Sequence, residues 1–230
     1  MRLLAAVVLA LALAPAASAA TVKLSDETTL SRWAHPAERS WILRAPSSGS
    51  HRIARLKLDT EDAFPNVYLV LRRTTDAAGA RWFQIRIPMR PNGRTGWVRD
   101  RSLGRLHTVT THLVVSRRTL HAVLWRNGKR IFRAPVGVGK PGTPTPGGHF
   151  WIRERLTVHG HGGLYGPLAF GTAAYASISD WPRGGVVGIH GTNEPALVPG
   201  RPSHGCIRMH NADILRLGRL MPIGTPVRIL

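Results

Sequence analysis

The 230-residue sequence contains a single cysteine, Cys206, and only 12 acidic residues against 32 lysines and arginines. One cysteine cannot form a disulfide within the chain, so a disulfide scaffold is excluded and the thiol reflects packing, accident or chemistry. The shortage of acidic residues leaves a formal net charge of +20, which favours polyanionic partners. Because 43% of the residues are hydrophobic, the composition is typical of a globular protein and not of a disordered one.

Long apolar runs are missing beyond the N-terminal segment. Residues 1–20 combine Arg2, an apolar run over 3–14 and small residues up to Ala19, which is the pattern of a secretory signal peptide. The run is shorter than the roughly 20 residues that a transmembrane helix needs, and no later stretch reaches that length. We therefore expect an exported protein, periplasmic or associated with the cell wall, without a transmembrane segment in the mature chain.

The sequence also lacks the basic helix and the aromatic-basic motifs of nucleic-acid readers. Together with export, this excludes nucleic acid as the expected partner. The positive charge then has two interpretations. It attracts anionic lipid or the anionic, phosphate-rich polymers of a bacterial wall, or it merely solvates an arginine-rich surface.

Residues 21–105 are predicted to form a small β domain. Segments rich in strand-forming residues recur at 68–71, 82–87 and 96–98, separated by turn signals. This spacing is typical of a small barrel. The stretch from 82 to 98 resembles bacterial SH3-like domains, so we predict an SH3-like β-barrel for residues 21–105.

Residues 106–230 are predicted to form a second, mainly β domain that folds independently of the first. Between 107 and 138 apolar strands follow one another, and Asn127-Gly128 indicates a two-residue hairpin turn. One helix is expected, with Asn211 as its N-cap.

Cys206 lies among polar and glycine residues that fit neither a core strand nor a core helix. A nucleophilic cysteine needs an imidazole to take its proton, backbone donors to hold an oxyanion and a turn that exposes the sulfur. His190 follows an apolar run and can supply the imidazole, while Gly205 can supply the turn. A neighbouring imidazolium or Arg208 would favour the thiolate. We therefore interpret Cys206 as a nucleophile, the alternative being a buried, inert cysteine.

Three segments then point to one family. His190-Gly191 is followed, after fifteen residues from 191 to 205, by Cys206, an aliphatic residue and Arg208. The upstream run 144–150, Pro-Thr-Pro-Gly-Gly-His-Phe, begins a predicted strand in the same order as the family's Thr-Pro-x-Gly-x-Phe pattern. From about 107 to 230 the chain resembles the catalytic domain of the bacterial L,D-transpeptidases, the YkuD domain. The resemblance implies a β-sandwich with one helix after the cysteine.

The resemblance also implies roles for individual residues. Cys206 would be the nucleophile, His190 the general base and acid, and the Gly191 carbonyl the group that orients the imidazole. The backbone N–H groups of the oxyanion hole would come from His204, Gly205 and Cys206. The predicted substrate-binding residues are Ser203, Arg208, Asn193 and Tyr165, with Arg201 and Arg183 as weaker candidates for binding a substrate carboxylate. Trp181, His159 and His161 are further candidates for the walls of the cleft.

The implied activity is peptidoglycan cross-linking on stem peptides, without a cofactor. With water as acceptor the same site would act as an L,D-carboxypeptidase, and with a lipoprotein lysine it would anchor a protein to the wall. Two other classes stay open: a noncatalytic wall-binding module, and a zinc site built from His190, His204, Cys206 and His210. The zinc alternative is disfavoured because the spacing departs from common zinc motifs and no acidic residue lies close to serve as a base.

Overall fold

The computed structural model describes residues 20–158, 163–180 and 182–230. The segment 1–19 and the candidate wall residues His159, His161 and Trp181 lie outside the described residues. In the described part of the chain, no helix has the length and apolar character needed to cross a membrane.

The first sheet contains eight antiparallel strands in the N-terminal part of the chain. These are β1 Val22–Lys23, β2 Ser31–Ala34, β3 Trp41–Leu43, β4 Arg52–Arg55, β5 Tyr68–Thr75, β6 Arg81–Arg86, β7 Thr95–Arg99 and β8 His107–Val109. Their spatial order is β4-β3-β7-β6-β5-β2-β8, with β1 paired to β5. These short strands form one small β unit. The assignment of this unit as an SH3-like barrel stays a prediction.

The second sheet contains ten strands, and one α-helix lies in the same half of the chain. The strands are β9 Thr111–Ser116, β10 His121–Arg126, β11 Lys129–Pro135, β12 Gly137–Gly139, β13 Gly148–Thr157, β14 Leu168–Tyr175, β15 Val186–His190, β16 Gly200–Ser203, β17 Ile207–Arg208 and β18 Pro226–Ile229; the helix is α1 Asn211–Leu220. Their order is β11-β10-β9-β18-β13-β14-β15-β17-β12-β16. The mainly β fold with a helix after the cysteine is confirmed.

The β10–β11 hairpin follows directly from its turn residues. Asn127 and Gly128 both have positive φ, 50° and 73°, as a two-residue turn of the type that matches strand twist requires. The turn pairs Arg126 with Lys129. The hairpin turn predicted from Asn-Gly is therefore confirmed.

The N-terminus of α1 differs from the prediction by one residue. His210 is the N-cap and makes no side-chain capping bond, whereas Asn211 is the first helical residue. The Asn211 side chain instead accepts a hydrogen bond from the Thr192 N–H, at 2.9 Å from N to Oδ1. Asn211 therefore holds the loop that follows β15, which a helix-capping rule does not reveal.

The first sheet has a hydrophobic cluster of its own and also contributes residues to the larger core of the second sheet. Val67, which precedes β5, and Leu69 on β5 are fully buried in the hydrophobic cluster formed by the second sheet. The indole N–H of the buried Trp151 on β13 donates to the carbonyl of Val67 at 2.7 Å. Trp33 of β2 packs on Gly224, where a side chain would occupy the space of the indole ring. The first sheet therefore covers apolar surface that the second sheet would otherwise expose.

A buried ion pair reinforces this contact. Arg153 on β13 is only 2% exposed; its Nη1 lies 2.9 Å from Glu61 Oε2, and its Nε donates to Asn66 Oδ1 at 3.1 Å. Tyr175 donates to the other oxygen of Glu61 at 2.6 Å. Burial opposes ionisation of Glu61, but the Arg153 charge and the Tyr175 hydroxyl outweigh it and hold the pKa of Glu61 below its usual value. A buried charge is tolerated only when it is paired in this way.

These contacts predict that the second half depends on the first. A chain beginning at Arg105 exposes Trp151 and removes Glu61 and Asn66, the hydrogen-bond partners of the Arg153 guanidinium. We expect this truncated chain to be insoluble or to unfold without cooperativity, whereas a chain beginning at Ala20 unfolds in a single transition. Calorimetry of both chains tests this; a soluble, cooperatively folded 105–230 would support the independent domain expected from sequence.

The Glu61–Arg153 pair gives a second, finer test. Glu61→Gln should lower the free energy of unfolding by about 2–3 kcal/mol, because the buried guanidinium loses its counter-charge. The control is Glu38→Gln, whose partner Arg101 is 3.7 Å away on the surface; there the loss should stay below about 1 kcal/mol. Since the folded pKa of Glu61 is depressed, its contribution is present at neutral pH and lost as the carboxylate protonates in acid. Equal urea-unfolding free energies for wild type and Glu61→Gln at pH 7 would contradict this assignment.

Candidate active site

His190 ends β15 with its ring 2% exposed. Its Nδ1 lies 2.6 Å from the carbonyl oxygen of Gly191. Because a carbonyl only accepts hydrogen bonds, Nδ1 carries the ring proton, and Nε2 keeps a free lone pair. The predicted role of Gly191 in orienting the imidazole therefore has its geometric basis.

Strand pairing brings Cys206 to this histidine. β15 and β17 run parallel, with Ile189 opposite Ile207 and His190 opposite Arg208. Cys206, immediately before β17, thus lies beside the end of β15. The Gly188 N–H points at its sulfur, 3.4 Å from N to Sγ. A side chain on Gly188 would contact both residues, since its Cβ would lie 3.5 Å from His190 Cδ2 and 3.8 Å from Sγ.

The turn that presents the sulfur depends on Gly205. Its φ of +125° and the close approach of Ala176, whose Cβ would lie 2.9 Å from an added Cβ, both exclude a larger residue. Thr145, buried at the start of the strand segment singled out from sequence, donates to the Gly205 carbonyl at 2.8 Å. The Thr-Pro segment therefore anchors the cysteine turn, a role that the sequence pattern alone does not reveal.

Ser203, predicted to bind substrate, lies inside the cysteine turn. It is buried, and its hydroxyl donates to the Cys206 carbonyl at 2.6 Å while accepting the Gly205 N–H at 3.2 Å. These two bonds show that Ser203 shapes the turn; its contact with substrate stays a prediction. The Gly205 N–H, predicted as an oxyanion donor, is occupied by the same contact. Among the described residues, the Cys206 N–H has no acceptor, which makes it the donor left open; the contribution of His204, which is half-buried, stays a prediction.

Arg208, also predicted to bind substrate, is paired with an acidic residue of the loop after β15. It is 9% exposed, and its Nη1 lies 2.6 Å from Glu194 Oε2. Its Nε is buried and has no partner among the described residues. The guanidinium thus braces the loop after β15 and does not line the cavity at the sulfur. Asn193, in the same loop, is exposed and does not line that cavity either.

A narrow cavity opens on the Cys206 sulfur and the His190 ring. Tyr165 forms one wall, with its ring centroid 4.8 Å from that of His190 and the two planes 70° apart. Tyr165 thus occupies the wall position predicted for it. The remaining lining residues are Asp62, Glu154, Leu156, Ala169, Phe170, Gly171, Arg183, Val186 and Gly188.

Three charged lining residues were not predicted as a group. Asp62 comes from the first sheet's part of the chain, Glu154 from β13 and Arg183 from the turn before β15. Arg183 was a weak candidate for binding a carboxylate, and no local motif marks Asp62 or Glu154. Only tertiary contacts between the two halves bring them together. Arg201, the other weak candidate, donates instead to the Arg117 carbonyl at 2.8 Å.

Burial dominates the protonation states of the central pair. Burial, aided by the Arg208 charge, lowers the pKa of His190 to about 4, although the bond to Gly191 opposes it. Burial raises the pKa of the Cys206 thiol, although the Gly188 N–H and the charges of Arg208 and Arg183 oppose it. At neutral pH the pair is therefore a neutral thiol beside a neutral imidazole, in contrast to the resting thiolate favoured from sequence.

The zinc alternative finds no geometric support. Within residues 20–158, 163–180 and 182–230, no three histidine, cysteine or acidic side chains converge to hold a metal ion. The Nε2 of His210 lies 3.2 Å from the Val198 carbonyl. His210 thus serves the loop before β16.

Comparison with known proteins agrees with this geometry. Residues 110–229 match the family model of the L,D-transpeptidase catalytic domain, YkuD. The chain is 37% identical over 123 residues to a protein of Bacillus subtilis (strain 168) assigned as the L,D-transpeptidase YkuD, covering 54% of this chain and 68% of that one. The corresponding protein of Bacillus licheniformis is 36% identical over 122 residues, covering 53% and 67%.

Solved structures give weaker similarity. An L,D-transpeptidase of Mycobacterium smegmatis superposes with a TM-score of 0.47 at 14% identity, covering 86% of this chain and 99% of that one. An Enterococcus faecium L,D-transpeptidase gives 0.41 at 25% identity, covering 52% of this chain and 49% of that one. The family assignment rests on the sequence match, which spans more than half of the chain. The chain belongs to the L,D-transpeptidase family, and residues 110–229 are its YkuD catalytic domain.

Proposed function

We propose that the protein is an exported peptidoglycan L,D-transpeptidase that joins third-position residues of two stem peptides through a thioester on Cys206. The observation that carries this proposal is the juxtaposition of the Cys206 sulfur and the His190 ring across Gly188, with Nδ1 held by the Gly191 carbonyl. This arrangement leaves Nε2 as the base for the thiol proton. It is the geometry that a cysteine acyltransferase requires.

In the acylation half-reaction, Nε2 of His190 takes the thiol proton as the sulfur attacks the carbonyl of the third stem residue. The oxyanion of the tetrahedral intermediate accepts a hydrogen bond from the Cys206 N–H. When the intermediate collapses, the bond to the terminal D-alanine breaks and the imidazolium protonates the departing amine. The thioester remains on Cys206. Because both groups start neutral, proton transfer accompanies attack and does not precede it.

In the second half-reaction, the side-chain amine of another stem attacks the thioester. His190 takes the proton that the amine loses and passes it to the departing sulfur, which regenerates the neutral pair. The same site would act as an L,D-carboxypeptidase with water as acceptor and as a lipoprotein-anchoring enzyme with a lysine amine. We propose the stem amine as the main acceptor.

Localisation and further partners follow from composition. The segment 1–20 has the pattern of a signal peptide, and the net charge of +20 suits a wall that contains anionic polymers. We therefore propose the periplasm or cell wall as the location, stem peptides as substrates and anionic wall polymers as a further partner.

The roles of Cys206 and His190 are tested by two variants. Cys206→Ser should form no covalent adduct with a carbapenem, because a serine hydroxyl is far less ionised than a thiol. His190→Ala should slow acylation of Cys206 by about 100-fold or more, since the base is lost. His121→Ala, on the edge of β10, is the matched control and should react like wild type. Intact-mass spectrometry follows the adduct; an adduct on Cys206→Ser, or unchanged rates for His190→Ala, would refute the assigned roles.

The pH profile is a separate test. Since His190 must be neutral to accept the thiol proton and its pKa is lowered to about 4, acylation should rise with pH through about 4 and stay level from pH 5.5 to 7. A histidine with the usual pKa of about 6.5 would instead give a steep rise across that interval. The measurement is the second-order rate of adduct formation at constant ionic strength. An inflection near pH 6.5 would show that the buried neutral imidazole is not the base.

A further inference from the structure

One loop of the first sheet's half reaches the active-site cavity. Residues 59–66, called here the 59–66 loop, are closed by the bridge between Asp59 and Pro65 and by the hydrogen bond from Asn66 N to Leu58 O, 2.7 Å. Within the loop, the Thr60 hydroxyl accepts the Phe64 N–H at 3.2 Å. The loop is therefore shaped by its own hydrogen bonds, and Asp62 lies at its tip.

Glu154 anchors this loop to the catalytic sheet. It is 4% exposed, and the Thr60 hydroxyl donates to its Oε2. Gly171 on the neighbouring strand β14 leaves the space that the Glu154 carboxyl fills. Burial and the charge of Asp62 raise the pKa of Glu154 above its usual value, although the hydrogen bond from Thr60 and the charge of Arg153 oppose this shift.

Arg183 completes the group from the opposite side. It begins a run of three left-handed residues, with φ of 61° for Arg183, 63° for Gly184 and 76° for Gly185, which turns the chain sharply before β15. Its Nε lies 2.6 Å from Asp62 Oδ1, and the side chains are 42% and 14% exposed. Asp62 therefore fixes Arg183 through one nitrogen, and no acceptor among the described residues pairs with Nη1 or Nη2.

Arg183 is also the one cation that lines the cavity among the described residues. Arg208 is buried against Glu194, and Arg201 bonds the Arg117 carbonyl. A guanidinium that offers both Nη groups matches the two oxygens of a carboxylate. The favourable effect of Arg183 on the Cys206 thiolate agrees with its closeness to the sulfur.

We propose that Arg183 binds the free carboxylate of the donor stem's terminal D-alanine, and that Asp62 of the 59–66 loop is the positioning residue that holds Arg183 over the cavity. This inference rests on the proposed function and names its specificity determinant. The carboxylate lies one residue beyond the attacked carbonyl, so a cation beside the nucleophile aligns the scissile bond. A fifth stem residue moves the carboxylate outward by about 3.5 Å, and the pairing is lost.

The test compares two donors on the full chain. One is a tetrapeptide stem with a free C-terminal carboxylate, and the other is the same stem with a C-terminal carboxamide. Thioester formation on Cys206 is followed by intact mass without an acceptor amine, and the ratio of the two rates is taken for each variant. Because the same two leaving groups are used throughout, their different basicities cancel when ratios are compared.

Arg183→Gln should lower the ratio of carboxylate-donor to carboxamide-donor rates by about tenfold to a hundredfold relative to wild type, the usual range for one charge-assisted hydrogen-bonded contact. Arg183→Lys should restore part of the wild-type ratio. Asp62→Asn should raise the half-saturating concentration of the carboxylate donor several-fold with little change in the maximal rate. The control Arg118→Gln, an exposed residue in the β9–β10 turn, should keep the wild-type ratio.

The outcomes separate the two claims. If wild type is acylated by the tetrapeptide but Arg183→Gln keeps the full preference, the carboxylate site is refuted while the proposed function stands. If Arg208→Gln loses the preference for the carboxylate donor and Arg183→Gln keeps it, the carboxylate site at Arg183 is again refuted while the proposed function stands. If the tetrapeptide never acylates wild type, the proposed function fails, and this inference fails with it. The melting temperature and the alkylation of Cys206 by iodoacetamide verify that each variant is folded. If Arg183→Gln does not fold, the ratio of the two donor rates for Asp62→Asn tests the proposal in its place.

Discussion

The parallel pairing of β15 with β17 is the contact on which the active site depends. His190 ends one strand and Cys206 precedes the other, so a shift of one residue in this register would separate the imidazole from the sulfur. The register is held from several directions. The Met209 N–H bonds the His190 carbonyl at 2.8 Å, and Ile189 and Ile207 are fully buried beside each other. The Gly188 N–H also points at the sulfur, 3.4 Å from N to Sγ, which ties β15 to the cysteine.

Burial of this pair has an electrostatic consequence. A thiolate and an imidazolium would both be poorly solvated in the cavity, and for the thiolate this penalty outweighs the favourable charges of Arg208 and Arg183. The resting state is therefore neutral, which makes the thiol less reactive toward adventitious electrophiles than a free thiolate. In the proposed mechanism, charge develops only when a substrate carbonyl receives the electrons of the sulfur, and the Cys206 N–H is the proposed donor to the resulting oxyanion.

The sequence was sufficient for the residues whose roles are local. Cys206, His190 and Gly191 lie in short motifs, and the chemistry of a nucleophile, a base and an orienting carbonyl can be inferred from those motifs alone. The mainly β fold and the Asn127-Gly128 hairpin also follow from local patterns. Contacts with distant or cross-turn partners have no local signal: Arg208 pairs with Glu194, and Ser203 makes two hydrogen bonds inside the cysteine turn. Asp62 and Glu154 had no signal, because nothing in either segment indicates that they meet.

The 59–66 loop shows why a two-domain interpretation of the sequence is incomplete. Two adjacent residues of this loop have different partners: Glu61 pairs with the buried Arg153, and Asp62 pairs with Arg183 at the cavity. β13 is buried at every position from Phe150 to Glu154, and Arg153 and Glu154 both contact this loop, through Glu61 and Thr60 respectively. Stability and active-site geometry are thus connected through one short segment. A displacement that breaks the ion pair with Arg153 would also move the Asp62 carboxylate that pairs with Arg183. If Arg183 binds the donor carboxylate as proposed, the first sheet's half would act on catalysis by positioning this residue.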